Sequence, residues 1–69
     1  MDIDFQVIKK VKEEYSELKY RYDKLTVFLD KQKEEQTVSD RQAELLMQQW
    51  LFMQGYMNVI ELRIKDLEN

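Results

Sequence analysis

The chain has 69 residues, a net charge of −3 and a charged fraction of 36%, with neither cysteine nor histidine. A domain this small commonly needs disulfides, a metal or self-association to be stable, and the missing residue types argue against the first two. The same absence removes the imidazole base, the thiol nucleophile and the ordinary transition-metal ligands, so we expect no enzyme, no metal and no cofactor.

The first half of the chain predicts one amphipathic helix, from about residue 4 to about residue 33. Its apolar residues recur at intervals of three and four, which places them on one side of an α-helix. They are Ile8, Val11, Tyr15, Leu18, Tyr22, Leu25 and Leu29, and Phe28 widens the stripe. The chain has no proline and a single glycine, which favours long uninterrupted helices.

A polar segment over about residues 34–38 predicts a turn, after which a second helix runs from about residue 39 to about residue 67. Ser39 and Gln42 have the spacing of a capping box, with Val38 in the preceding staple position. The expected fold is therefore all-α: a single αα-hairpin domain of two long antiparallel helices.

The second helix has more apolar surface than one neighbouring helix can cover. We define the seam of this helix as Leu46, Trp50, Met53, Met57, Ile60, Ile64 and Leu67, and its second stripe as Leu45, Phe52, Tyr56 and Val59. A helix with two apolar stripes is usually buried among several others, so we expect copies of the hairpin to assemble. The seam pattern alone is compatible with dimers, trimers and larger sets. Gly55 indicates either a close helix crossing or a tolerated surface glycine.

Length and charge patterning also constrain the partners. No stretch approaches the roughly 18 consecutive apolar residues of a membrane span, and no signal peptide is apparent, so we expect a cytoplasmic protein without a membrane partner. Residues 9–24 contain six basic and four acidic side chains on an acidic chain. Such a surface suits a small anion better than long nucleic acid, whose binding needs many phosphate contacts. A solvated helix face is the other interpretation.

The chain resembles the small phage proteins of the second anti-CBASS type, which are cyclic-nucleotide sponges. The residues that carry this resemblance are Lys10, Val11, Glu14, Leu18, Arg21, Lys24, Leu25, Thr26, Phe28 and Leu29 in the first half, and Leu45, Leu46, Gln49, Met53, Tyr56, Ile60, Arg63 and Ile64 in the second. The resemblance implies a helical hexamer, a trimer of dimers, in the infected bacterial host. Such a protein sequesters cyclic dinucleotide signals, and in some members cyclic trinucleotides, without cleaving them.

The resemblance also implies roles for particular residues. For the cyclic dinucleotide they are Phe5, Lys9, Arg21, Lys24 and Thr26, and for the cyclic trinucleotide Arg63. Lys24 is expected to reach a phosphate, and Thr26 to donate a hydroxyl hydrogen bond. Phe5 either stacks on a base or packs in a dimer contact. Arg21 either assists at a phosphate or pairs with Glu17.

A second function remains open from the sequence. The chain can be a structural helical oligomer, or an adaptor that binds another protein through its apolar helix faces. In that case Lys24 and Arg63 are ion-pair partners on the surface. Tyr56 and Trp50 are interpreted as packing residues in either case.

Overall fold

The computed structural model describes the backbone of residues 2–69 and the side chains of residues 5–69. It contains two helices, α1 (Asp2–Glu34) and α2 (Asp40–Glu68). They pack against each other as a hairpin 51 Å long and 15 by 13 Å across. The expected all-helical hairpin is therefore confirmed. α1 begins at residue 2 rather than near residue 4, and each helix ends one residue later than the periodicity indicated.

Ser39 caps the N-terminus of α2. Its backbone is extended, with φ −64° and ψ 160°, and its Oγ accepts a 3.1 Å hydrogen bond from the Gln42 backbone N–H. This bond satisfies one of the N–H groups that the first helical turn leaves without a partner. The predicted N-cap is thus confirmed. The reciprocal bond from the Gln42 side chain is not formed between these two described residues.

Gln32 organises the turn between the helices. Its Oε1 accepts from the backbone N–H groups of Thr37 at 2.7 Å and Val38 at 3.3 Å, and its Nε2 donates to Thr37 Oγ1 at 2.8 Å. One amide side chain on the last turns of α1 thus satisfies two backbone donors that have no helical partner. The approach of α2 to α1 is fixed at this end of the hairpin.

The interface between the helices follows the two predicted stripes. Ile60 of α2 is fully buried, and Val11 and Leu18 of α1 are buried opposite it. All the other seam residues of α2, and the other stripe residues of α1, are half-buried. The three- and four-residue spacing therefore identified the contact face of both helices correctly.

The second stripe of α2 is not covered by α1. Phe52 is 77% exposed, and Leu45, Tyr56 and Val59 are also exposed. Within the described part of the chain, only the three side chains named above are buried. A Cβ built at Gly55 meets nothing within 4 Å, so the expected close crossing at this glycine does not occur inside the hairpin.

Candidate ligand-binding surface

Thr26 lies in the helix interface and its hydroxyl already has two partners. The hydroxyl donates to the Tyr22 carbonyl oxygen at 2.9 Å and accepts from Trp50 Nε1 at 2.7 Å. The Trp50 indole stacks on the Tyr22 ring with centroids 5.2 Å apart and an interplanar angle of 16°. A hydroxyl has one proton to donate, so Thr26 can donate to a phosphate only by releasing the carbonyl.

Lys24 lies on a different side of α1 from Thr26, because residues two apart do not share a helix face. Lys24 is exposed, and its Nζ lies 4.6 Å from the ring centroid of Tyr20, one turn earlier. Arg21 is exposed one turn before Lys24. Among the described residues, neither cation has a carboxylate within 4.0 Å, so the alternative Arg21–Glu17 ion pair is not formed. Tyr20, Arg21 and Lys24 together are called the Tyr20 patch below.

Phe5 and Lys9 form a separate group near the start of α1. Both side chains are exposed, and they lie one helical turn apart. They precede Tyr20 and Lys24 by 15 residues each, which is about 22 Å along a helix. One chain therefore does not bring Lys9 and Lys24 to the same small ligand.

Arg63 is exposed on α2, near one of two tyrosine–carboxylate hydrogen bonds that join the helices in the described part of the chain. Tyr56 donates its hydroxyl to Glu14, and Tyr15 donates to Glu61 at 2.6 Å. The bond to the Glu14 carboxylate raises the pKa of Tyr56, and the positive charge of Arg63 opposes that rise. The bond to Glu61 likewise raises the pKa of Tyr15.

Arg63 is remote from the Tyr20 patch. Arg63 lies two residues beyond Glu61, which is level with Tyr15 across the hairpin. Lys24 lies nine residues in the other direction along α1, so the two cations are separated by about 16 Å along the axis. Within one chain, Arg63 and Lys24 are therefore too far apart to contact the same phosphate.

The described part of the hairpin offers exposed cations rather than an enclosed pocket. The groove beside Thr26 and Trp50 has a volume of about 130 Å³, below the roughly 300 Å³ at the lower end of ordinary ligand pockets. Larger grooves, of about 450 Å³ along Phe52 and Tyr56 and about 650 Å³ beside Phe28 at the turn, are open to solvent. Clusters of three or more potential metal ligands do not occur among the described side chains. None of the described helices is long and apolar enough to cross a membrane.

Tyr20 is a further candidate for ligand contact, and the sequence patterns did not single it out. A tyrosine four residues before a lysine on a helix face is a recognisable signal, since side chains at this spacing are neighbours and an ammonium is attracted to an aromatic ring. The apolar periodicity did not reveal this pair, because Tyr20 lies outside the apolar stripe that forms the helix interface.

The fold and the surface define a class: a small all-α hairpin with exposed aromatic and basic side chains along one helix. A family model described as Sequestin matches residues 6–66. The chain belongs to the Sequestin family. The match includes Lys9, Arg21, Lys24, Thr26 and Arg63, and begins one residue after Phe5. Neither the curated proteins nor the solved structures provide a match.

Proposed function

We propose that this protein sequesters a small cyclic nucleotide signal, of the cyclic dinucleotide class, and holds it without cleaving it. The observation that carries the proposal is the Sequestin match over residues 6–66, because the family name denotes sequestration. The resemblance to anti-CBASS sponges indicates that the sequestered ligand is a cyclic nucleotide. In this role the protein acts in the cytoplasm of an infected bacterium and deprives a host effector of its signal.

The anion-binding side chains support a ligand with phosphates. Lys24 and Arg21 are exposed neighbours that have no carboxylate partner among the described residues. Both therefore keep their hydrogen-bond donors available for phosphate oxygens, and such charge-assisted bonds are the strong ones. Phe5 is assigned to a base and Lys9 to a second phosphate contact. Arg63 is assigned to a separate site for a cyclic trinucleotide.

The ligand site is proposed to lie between chains. Lys9 and Lys24 of one chain are about 22 Å apart along α1, farther than the two phosphates of one cyclic dinucleotide. A cyclic dinucleotide has approximate two-fold symmetry, so a two-fold pair of chains can present each group twice. The resemblance implies three such pairs, a hexamer, and the exposed second stripe of α2 supplies apolar surface for their assembly.

One observation favours a second candidate function, that of a structural oligomer or adaptor. The second stripe of α2 is exposed along the hairpin, with Phe52 more exposed than any other large apolar side chain that the structure describes. Exposed apolar patches often mark protein contacts. Under this alternative the stripe binds another protein, and Lys24 and Arg63 are solvated charges whose removal changes stability by well under 1 kcal/mol.

Calorimetric titration with 3′,3′-cyclic GMP-AMP, cyclic triadenylate and linear adenine nucleotides tests the proposal. We expect tight binding of the cyclic dinucleotide, at one ligand per two chains, and recovery of intact ligand by chromatography. Lys24→Ala should weaken binding at least tenfold, because a hydrogen bond to a charged group contributes about 1.5–3 kcal/mol. Lys19→Ala is the matched control, since Lys19 is an exposed lysine of α1 whose Nζ is paired with Asp23 at 2.9 Å.

Three results would contradict the proposal. Recovery of linear product would mean catalysis instead of sequestration. An absence of heat with every nucleotide would favour the adaptor. Equal losses in Lys24→Ala and Lys19→Ala would mean that general charge, and not the position of Lys24, determines binding.

A further inference from the structure

We propose that Tyr20 stacks on a nucleobase of the same ligand whose phosphate Lys24 contacts. The inference rests on the proposed function and adds to it a base-contacting residue. Tyr20 is 61% exposed, and the Lys24 ammonium lies 4.6 Å from its ring centroid. A ring beside a cation is the pair of groups that a nucleotide requires, since each of its bases is linked through a sugar to a phosphate.

The other tyrosines of the chain are occupied in the hairpin. Tyr15 and Tyr56 are bonded to carboxylates across the helix interface, and Tyr22 is stacked on Trp50. Tyr20 has neither kind of contact with a described residue. It lies on the side of α1 away from α2, because Leu18 and Tyr22, two residues away in each direction, face the helix interface.

The neighbours of Tyr20 favour an anionic aromatic ligand over an apolar one. Arg21 and Lys24 flank it and lack carboxylate partners within the described chain, whereas Lys19, on another side of α1, is paired with Asp23. Glu17 lies one turn before Tyr20 and Asp23 one turn after it, and the charge of Asp23 is balanced by its pair with Lys19. Arg21 and Lys24 outnumber the remaining carboxylate of Glu17, so the local field attracts phosphate.

The arrangement of the Tyr20 patch is repeated near the start of α1. Phe5 precedes Lys9 by four residues, as Tyr20 precedes Lys24. The chain therefore offers a ring followed one turn later by a cation at two positions along α1. Each ring and its lysine match one base and one phosphate of a nucleotide ligand.

Three proteins test the inference by titration with 3′,3′-cyclic GMP-AMP: the wild type, Tyr20→Leu and Tyr20→Phe. Leucine keeps an apolar helix-forming side chain but removes the ring, and phenylalanine keeps the ring. We expect Tyr20→Leu to bind about 5- to 150-fold more weakly, the range that loss of one stacked base corresponds to. Tyr20→Phe should bind within about twofold of the wild type. The mass of each protein by light scattering shows whether assembly is preserved.

Stacking also has a spectroscopic signature that a purely structural role lacks. The NMR signals of the Tyr20 ring are identified as those that are missing from Tyr20→Leu. In the wild type, these ring protons should show contacts to base protons of the bound ligand. If the wild type binds and Tyr20→Leu binds equally well, the inference is wrong and the proposed function stands. If the wild type does not bind, both are wrong. If Tyr20→Leu loses affinity together with its oligomeric mass, and no ring-to-base contacts are seen, Tyr20 is an assembly residue and the inference is wrong.

Discussion

Thr26 illustrates how one side chain can match a binding motif and still serve the fold. Its hydroxyl joins the Tyr22 carbonyl of α1 to the Trp50 indole of α2. The bond to Trp50 is one of the few polar links between the helices. A phosphodiester has no proton to donate, so a role at a phosphate would require the Thr26 hydroxyl to release the Tyr22 carbonyl and donate to the ligand instead.

Thr26→Val tests the architectural role. Valine has the same shape without the hydroxyl, so two hydrogen bonds are lost, each with a net contribution of about 0.5–1.5 kcal/mol. Because the site is half-buried and water can replace part of the loss, we expect destabilisation of about 1 kcal/mol, or about 4–8 °C in Tm. Circular dichroism measures the change, and the emission of the chain's single tryptophan should shift to the red.

Two controls accompany Thr26→Val. Thr26→Ser retains the hydroxyl and should retain most of the stability, whereas Ser16→Ala changes an exposed hydroxyl and should have almost no effect. An unchanged Tm in Thr26→Val would show that the bridge between Tyr22 and Trp50 contributes nothing to stability. The role of Thr26 would then lie with the ligand.

The hydrogen bonds of Tyr15 and Tyr56 lead us to expect that the hairpin loses stability at alkaline pH. Hydrogen bonds to Glu61 and Glu14 raise the pKa of these two tyrosines above the ordinary value of about 10. A folded-state pKa raised above the unfolded value contributes stability that is fully present below pH 10 and lost as pH rises through the folded pKa. The stabilising contribution of the two hydroxyls should therefore disappear above about pH 10.

Melting curves of the wild type and a Tyr15→Phe, Tyr56→Phe double variant between pH 8 and pH 12 measure this effect. We expect the wild type to be more stable at pH 8 and the difference to shrink above pH 10. Comparison with the variant cancels the titration of the lysines. Tyr20→Phe is the control, because Tyr20 has no carboxylate bond with a described residue. A difference that stays constant up to pH 12 would contradict the role of the two hydrogen bonds.

For the helices, the sequence predicted the features that depend on apolar periodicity and on local capping. The seam, the stripe of α1 and the Ser39 cap all follow from apolar spacing and local backbone chemistry. The hydrogen bonds of Gln32 to the turn and the Tyr15–Glu61 bond could not be predicted in this way. Each depends on which rotamer a long side chain adopts and on the axial offset of the two helices, and neither is encoded in a repeat. The grouping of the site residues stays a prediction, because spacing along one helix does not show which residues two chains bring together.

The surroundings of Gly55 within the hairpin could also be decided only from the structure. A Cβ at this position meets open space, so Gly55→Ala introduces no clash and gains helix propensity. We expect the variant to be more stable by about 1 kcal/mol, measured by urea denaturation. Gln54→Ala is the control on the neighbouring position, where helix propensity changes little. A loss of stability in Gly55→Ala would mean that another chain crosses α2 closely at this point.

The whole molecule has too little interior for its apolar content. Three side chains are buried among the described residues, while Phe5, Tyr20, Val27, Leu51, Phe52, Val59 and Leu62 are each more than half exposed. A domain of 69 residues with so small a core is at the limit of independent stability. The proposed self-association would supply the missing burial, and it would also gather cations that a single chain keeps about 22 Å apart. We therefore propose that the same contacts between chains stabilise the fold and form the ligand site.

Phe52→Glu tests this coupling. A charge in the second stripe is costly to bury at a contact between chains, by several kcal/mol if it finds no partner. We expect the wild type to have about six times the 8.5 kDa chain mass by light scattering, and the variant to dissociate and lose its affinity for 3′,3′-cyclic GMP-AMP.

The wild-type Tm should rise with protein concentration, as folding and assembly are linked by mass action, and that of Phe52→Glu should not. Gln54→Glu adds the same charge to another side of α2 and should leave mass and binding intact. A wild type of 8.5 kDa that still binds the dinucleotide would separate binding from assembly, and a single hairpin would then have to provide the complete site. A monomer that binds no nucleotide would leave the second stripe as the contact surface for another protein.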